Sequence, residues 1–588
     1  MKSLKTLSMI WLVSMLVLAG CGGAPNVSPT PVPTETQAPT PTSPPTSTSA
    51  PTEPATPKPT VDPNAVVPGG KLVIGIAREP DVISPIMANE TLEQVISWFF
   101  VEGLVQIDSN GNPVPVLAEE LPTLSEDGLS LTYTLKPGVR FSNGDPFTCA
   151  DIQFTWKAVM YYLTPISKAG YELIQAVDCP DENTAVVRFT SGYAQYLQLF
   201  SFILPQGAGS LDSVTKWDYH QAPIGTGPWK VLEWQVGDHI LLVRNEYYRE
   251  PGKPYLENIE LKFLKYRENS VDLLSKGQLD VAWGLDESFL LDLDSLASQG
   301  ISYSAAQSGI NELIVFNLAD PKLDAPVDPS ANPHPILSDL RVRQAFQLAI
   351  DKQALVDELL SGSVQVSSSV LASGASACAF PPSEYNPEKA KTLLDEAGWR
   401  VGADGIREKD GMRLSLKITT EADSQLRSQI QQALVEEMKA IGVELLVENV
   451  SSKEFNASWK AGGLRKHGHF DILLYASGPG ISPAVALKRD FHSSRIPTAY
   501  NQGAGNNFSR YRNADVDAWI DQSLSITNSD QQQELFCKIA EQINKDVPVI
   551  AIYEHLLVSA HRDRLNNFVV SPGPANFTLG SQNWWLSP

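Results

Sequence analysis

The chain offers few residues whose type and spacing could carry chemistry. Cys21 is a thiol set directly behind Leu18, Ala19 and Gly20, so small side chains leave its sulfur open to attack or modification. His467 and His469 flank Gly468 ahead of an apolar run and have the spacing to share a metal. No third ligand is evident beside them, and two histidines alone describe a surface loop better than a metal centre. Ser213 and Lys216 stand at an SxxK spacing, but no SDN or KTG partner accompanies them, which makes the spacing chance. HExxH, GxSxG and GxxxxGK[ST] do not occur. Gly225-Thr226-Gly227-Pro228 forces a tight turn, and without a third glycine or a following Lys-Ser/Thr pair it is not a phosphate loop. With 8 histidines and no clustered thiols, a catalytic metal centre has little support, and no catalytic residue, resident metal or cofactor is expected.

The setting of Cys21 is a secretory leader. Lys2 and Lys5 precede an apolar run over 7–18 broken only by Ser8 and Ser14, too short for the ~20 residues of a membrane span. The LAGC tetrad resembles the lipobox of bacterial lipoproteins, whose cysteine is lipidated on sulfur and becomes the mature N-terminus. That resemblance implies a lipoprotein signal peptide over 1–21, with everything beyond it extracytoplasmic and held to a membrane at Cys21. Residues 22–68 are mostly Pro, Thr, Ser and Ala, a composition that cannot bury a core, and read as an extended spacer.

Length and charge bound the rest. A chain of 588 residues is too long for one core, and three or four compact units are expected. A formal charge of -22 argues against nucleic acid and against an anionic membrane face as partners. After Cys21, four cysteines remain (Cys149, Cys179, Cys378 and Cys537), and in an exported chain three pairings are open to them.

The elements that must position any site follow from periodicity. Residues 71–77 read as a buried strand and 90–100 as a helix. Residues 104–117 read as a hairpin over Asp108-Ser109-Asn110-Gly111, whose faint likeness to a calcium loop fails for want of the later ligands. Leu129, Leu131, Tyr133 and Leu135 alternate as a half-buried strand, and Thr148 with Asp151 opens a helix in capping-box style. Ser338 is expected to cap one later helix and Asn386, followed by Pro387, another that Gly398 can end. Beyond Trp399, strands at 414–418, 443–447 and 470–475 alternate with helices at 425–441 and 453–460, a doubly wound α/β pattern. Helices at 514–524 and 531–544 and a strand at 547–553 complete it.

Five stretches in order carry a family resemblance. GNPVPVLAEEL (111–121), DGLSLTYTLKPGVRFSNGDPFTCADIQFTW (127–156), PIGTGPWKVLEW (223–234), LSDLRVRQAFQLAIDKQALVDELLSG (337–362) and YNPEKAKTLLDEAGW (385–399) resemble the family 5 extracellular solute-binding proteins. These are the dipeptide- and oligopeptide-binding components of ABC importers. The resemblance implies an α/β, two-lobed periplasmic-binding-protein-like fold with a hinge. Lobe I would span 69–309 with an extra subdomain near 104–220, lobe II 310–557, and 558–588 would return to lobe I. A small solute, a peptide first, would be held between the lobes and passed to permease subunits by a monomeric body. An oligosaccharide, a metal chelate or, in a different class, an extracellular hydrolase are the alternatives. A bridge across the lobes would oppose closure, so the expected disulfides are Cys149–Cys179 and Cys378–Cys537.

The resemblance also marks a cleft. It places Asn89, Glu90 and Thr91 on its wall, with Trp283 and Tyr475 able to supply aromatic faces or simply core. Peptide-binding members carry an aspartate just beyond the strand matching 470–475, which pairs with the peptide α-amino group. Here FDILLYASGPGISP (470–483) has no acid at those positions. Ala476, Ser477, Gly478 and Gly480 are small and uncharged, so a ligand is expected to approach backbone there, and neutral or blocked ligands are favoured over free amines.

Overall fold

The computed structural model describes residues 66–587 apart from 89–90, 109–111, 162–167, 169, 268, 327, 372–375, 479–481 and 571–576. The signal peptide, Cys21 and most of the spacer therefore lie outside the described residues, as do Asn89, Glu90 and Gly480.

One ten-stranded sheet organises the chain, in the order Glu444–Val447, Ser415–Thr419, Ile472–Ser477, Ile301–Phe316, Val549–Arg562, Val281–Leu285, Lys71–Ile76, Asn258–Phe263, His239–Arg244 and Trp229–Gln235. At its middle two long strands, of 16 and 14 residues, run antiparallel, with Ile301 opposite Arg562 and Val315 opposite Val549. Their sequences divide them. The last residues of one (Leu313, Ile314, Val315, Phe316) and the first of the other (Val549 to Tyr553) are apolar and enter one core. Ile301, Val558 and Ala560 enter another. Between these ends, Ser302 to Ile310 alternate between exposed and half-buried, and the register slips at Gln307/Asn311 and again at Asn311/Leu313. Apolar ends with a polar middle make a two-lobed α/β fold out of one continuous sheet. The described residues from 66 on belong to one compact unit, and this sheet joins its two halves.

The first half packs Leu72, Ile74 and Ile76 of its parallel strand against Phe99, Trp229 and Trp584. Beside it, a four-stranded sheet (Thr123–Leu124, Ser130–Thr134, Thr184–Phe189, Ile174–Asp181) and the helix Cys149–Tyr161 enclose their own core around Leu131, Tyr133, Ile152 and Val187. That helix opens as its sequence requires: Asp151 accepts the Thr148 backbone N–H at 2.9 Å. Cys149 and Cys179 are bridged, Cα to Cα 5.7 Å.

The second half is a mixed sheet. Ser415–Thr419 is parallel to both its neighbours, but Ile472–Ser477 runs antiparallel to Ile301–Phe316, which arrives from the other half. Three local expectations shift. Asp339, not Ser338, caps Leu340–Ala349, because its carboxylate reaches the Arg341 N–H at 3.0 Å. The helix expected over 453–460 stops at Phe455, and only a 3-10 turn follows at Trp459–Ala461. The strand expected over 470–475 sits two residues later, so that Asp471 stays outside it and its carboxylate accepts from the Lys417 N–H at 2.8 Å. Asn386 caps Pro387–Glu396 as its sequence implies. Cys378 and Cys537 are bridged, Cα to Cα 5.3 Å, at the edge of this core.

Candidate functional site

The C-terminal end of Ile472–Ser477 reaches the polar middle of the long strands, with Ser477 opposite Asn311. Open α/β sheets place ligands at such ends. Tyr475 lies with its ring 6.3 Å from that of Phe455 and 6.2 Å from that of Phe508. The Arg465 guanidinium covers all three rings, 4.5 Å from Phe455, 5.1 Å from Phe508 and 5.4 Å from Tyr475. Arg465 donates to the Phe455 carbonyl at 2.8 Å and to the Asn456 side chain, and no carboxylate forms an ion pair with it among the described residues. Burial pushes its pKa below the ordinary range.

Charge also stands at this strand end, contrary to the expectation from 476–482. The helix Pro483–Phe491 brings Arg489 and Asp490 back to it. Asp490 accepts from Arg489 Nε at 2.7 Å and Nη2 at 2.6 Å, and from the Ser477 hydroxyl at 3.2 Å; Arg489 also donates to the Gly478 carbonyl at 3.1 Å. Ser477, Gly478, Asp490, Tyr475 and Phe508 line a small hollow of about 30 Å³, room for about two waters. Asp490 lies thirteen residues beyond Ser477 and returns only because Ser482 caps the helix between them, a signal that a search of the adjacent loop could not pick up.

Gly478 has a packing reason to be small. A Cβ on it would meet the Gly309 carbonyl oxygen at 2.4 Å. Its size serves the crossing of two backbones. Ala476 sits opposite Glu312 and is half-buried.

A row of ionic groups spans the long strands here. His555 is flanked by Glu287 (2.8 Å at Nδ1) and Glu312 (2.9 Å at Nε2). Arg427, from the first turn of Gln425–Ala440, donates to Glu312 at 2.8 Å and to Glu421 at 2.7 Å. Asn456 then links Glu421 to Arg465. Glu287 and Glu312 are each about 1% exposed. Burial works to depress the His555 imidazole, but its two carboxylates outweigh that and push it up to about 10. Burial likewise raises Glu312, and His555 with Arg427 more than reverses it, leaving the carboxyl below its usual range. The Glu287–His555–Glu312–Arg427 chain did not stand out in the sequence, since its partners lie 115 to 268 residues apart.

The other sequence candidates fall elsewhere. Thr91 begins the helix Thr91–Ser97 and is exposed. Trp283 packs its ring 5.3 Å from Phe577 inside the first core, the packing role rather than an open aromatic face. Among the described residues no helix is long and apolar enough to cross a membrane.

Comparison with known proteins agrees with this architecture. The family described as bacterial extracellular solute-binding proteins, family 5 Middle, matches residues 112–496. The oligopeptide-binding protein AppA of Bacillus subtilis is 26% identical over 539 residues, 88% of this chain and 92% of that protein. The nickel-binding periplasmic protein of Escherichia coli is 26% identical over 487 residues, 80% and 86% of the two chains. Among solved structures, AppA with a nonapeptide superposes with a TM-score of 0.68 at 23% identity, covering 89% of this chain and all (100%) of that one. NikZ of Campylobacter jejuni with Ni(L-His) gives 0.71 at 24%, covering 88% and 99%.

Proposed function

The chain belongs to the bacterial extracellular solute-binding proteins of family 5, and on that premise we propose that it captures a peptide between its two lobes and presents it to an ABC importer. Proteins of this family are binding proteins and not enzymes, which removes the hydrolase alternative. The observation that carries the reading is the exposed, polar stretch from Ser302 to Ile310, set between two apolar cores and met by the ends of strands from both halves. Backbone N–H and C=O groups there suit a ligand that is itself a chain of amides. The lobes in this reading are 69–309 with 558–588, and 310–557, and the cleft residues include Thr91, Tyr475, Ala476, Ser477 and Gly478, with Asn89, Glu90 and Gly480 from outside the described residues. Lipid on Cys21 holds the protein at the outer face of the membrane as a monomer.

A non-peptide anionic solute is the second reading. It rests on Arg465, a cation held over three rings with its hydrogen bonds given to neutral oxygens.

The test is to express the full chain, release any co-purified ligand by denaturation and identify it by mass spectrometry. A peptide recovered unchanged, and rebound with micromolar or better affinity, supports the first reading. Recovery of a carboxylate-rich small molecule or metal chelate, with no binding of a peptide library, overturns it. Cys21→Ser is expected to move the protein out of the membrane fraction, and a variant that keeps thioether-linked lipid contradicts the anchor.

A further inference from the structure

At the other end of Ile472–Ser477 from Ser477, the two histidines singled out in the sequence meet a third residue. Asp324 lies 143 residues before His467, and its Oδ1 stands 2.6 Å from His467 Nδ1 and 3.5 Å from His469 Nε2. One ligand atom from each of the three lies within 4.8 Å of the others.

The hydrogen bonds behind the rings decide their tautomers. His467 Nε2 is 3.0 Å from the Trp459 carbonyl oxygen, and His469 Nδ1 is 3.1 Å from that of Pro321. A carbonyl only accepts, so both of these nitrogens carry hydrogen and donate it. His467 Nδ1 and His469 Nε2 are thereby turned toward the Asp324 carboxylate. A proton on His467 Nδ1 accounts for its 2.6 Å contact with Asp324, and a metal ion replacing that proton would meet three ligand atoms already converging. An imidazole whose far N–H is tied to a backbone carbonyl is also the way metal-bound histidines are oriented.

The scaffold around the cluster is stiff. The Trp459 ring stacks on His467 at 4.0 Å. Gly468 holds φ +84, and a Cβ there would meet the Arg510 guanidinium at 2.4 Å, so a side chain in the turn between the histidines would be strained. Arg510 directs its donors to the Phe508 and Lys466 carbonyls.

We propose that Asp324, His467 and His469 form a binding site for a divalent transition metal, zinc first, with solvent in the fourth position. Zinc holds nitrogen and oxygen ligands at roughly 2.0–2.2 Å, which sets tetrahedral neighbours roughly 3.4 Å apart. The 3.5 Å from His469 to Asp324 already matches, while His467 must withdraw from its 2.6 Å contact and the two imidazole nitrogens, now within 4.8 Å, must settle at the same spacing. The site clamps the loop carrying Asp324 to the 459–469 segment. It lies away from the ligand end of the strand, so its failure and that of the peptide reading are separable.

The test uses the full chain without a polyhistidine tag. Zinc titrated into it by calorimetry is expected to bind one ion per chain at these residues, and cobalt in its place to give the visible absorption of a nitrogen- and oxygen-ligated ion. His469→Gln and Asp324→Asn, both at exposed side chains, are each expected to weaken zinc about tenfold or more. His561→Gln, a histidine outside the cluster, is expected to leave it unchanged. Zinc affinity unaltered by both His469→Gln and Asp324→Asn, or absent in the unaltered protein, would mean that a proton shared by His467 and Asp324 is the only occupant and overturns the proposal.

Discussion

Glu287 Oε1 stands 2.8 Å from His555 Nδ1, and the backbone N–H of Leu556 donates to the other oxygen of the same carboxylate at 3.0 Å. The turn after Val281–Leu285 is thereby fastened to the long strand Val549–Arg562 midway along its length. His555 is held at about 10 against an ordinary value of about 6.5 in an unfolded chain. A folded value above the unfolded one means that the charge stabilises fully below about pH 6.5, and that this contribution is lost as pH rises through about 10. His555→Gln leaves Glu287 and Glu312 buried without their shared cation and is expected to cost about 3 kcal/mol at pH 6. Denaturant midpoints measured from pH 6 to 10.5 should fall for the unaltered protein and stay flatter for the variant. Parallel curves would show that the imidazole is not charged in the folded chain.

What the sequence made legible was whatever depends on near neighbours. The caps at Thr148/Asp151 and Asn386 need only three or four residues of context, and the apolar stripe of Gln425–Ala440 is periodic in itself. The strand beginning at Val549 was readable as far as Tyr553, where its apolar run ends. Its continuation to Arg562 follows from pairing with Ile301–Phe316; in mid-strand His555 is stable because of Glu287 and Glu312, and Glu554 accepts the Gly309 backbone N–H at 2.6 Å. The candidate site was legible only in part for the same reason. Tyr475 and Ser477 lie on the strand that alternation identifies, whereas Asp490, Arg465 and Asp324 reach their partners through helices and loops whose paths no local pattern encodes.

Gly478→Ala tests the crossing of the two strands. Its Cβ would lie 2.4 Å from the Gly309 carbonyl oxygen, which is backbone and cannot rotate away. The strand end must shift, at a cost of about 1–3 kcal/mol. Both the thermal midpoint and ligand affinity should fall. An unchanged midpoint with weakened binding would instead mark Gly478 as a ligand contact alone.

Removing the disulfides should rank them by the chain each one closes. Cys378 and Cys537 are 159 residues apart, Cys149 and Cys179 only 30. Loop-closure entropy makes the longer link worth more, about 5 kcal/mol against about 3.6, a difference of about 1.5 kcal/mol. Paired serine substitutions at each bridge, compared by denaturant midpoint, are expected to show the larger loss for Cys378/Cys537. The reverse order would mean that strain or unfolded-state structure outweighs loop length.

The last prediction concerns what the strand end accepts. Asp490 could answer a ligand ammonium, but its oxygens already take two hydrogen bonds from Arg489 and one from Ser477. A free amine that claims Asp490 must displace Arg489, whose guanidinium would then lose its partner while still bound to the Gly478 carbonyl. Arg489 is 40% exposed, so solvent absorbs part of that loss, and the net penalty is about 1 kcal/mol, roughly fivefold in affinity. The unaltered protein is therefore expected to bind N-acetylated peptides better than the matched free ones. In Arg489→Gln, Asp490 is released, and the preference should shift toward the free amine by at least that factor. Calorimetric titration of both peptides into both proteins gives the four affinities needed. A free-amine preference in the unaltered protein that survives Asp490→Asn would place the ammonium partner elsewhere, with Glu90 the first residue to substitute next.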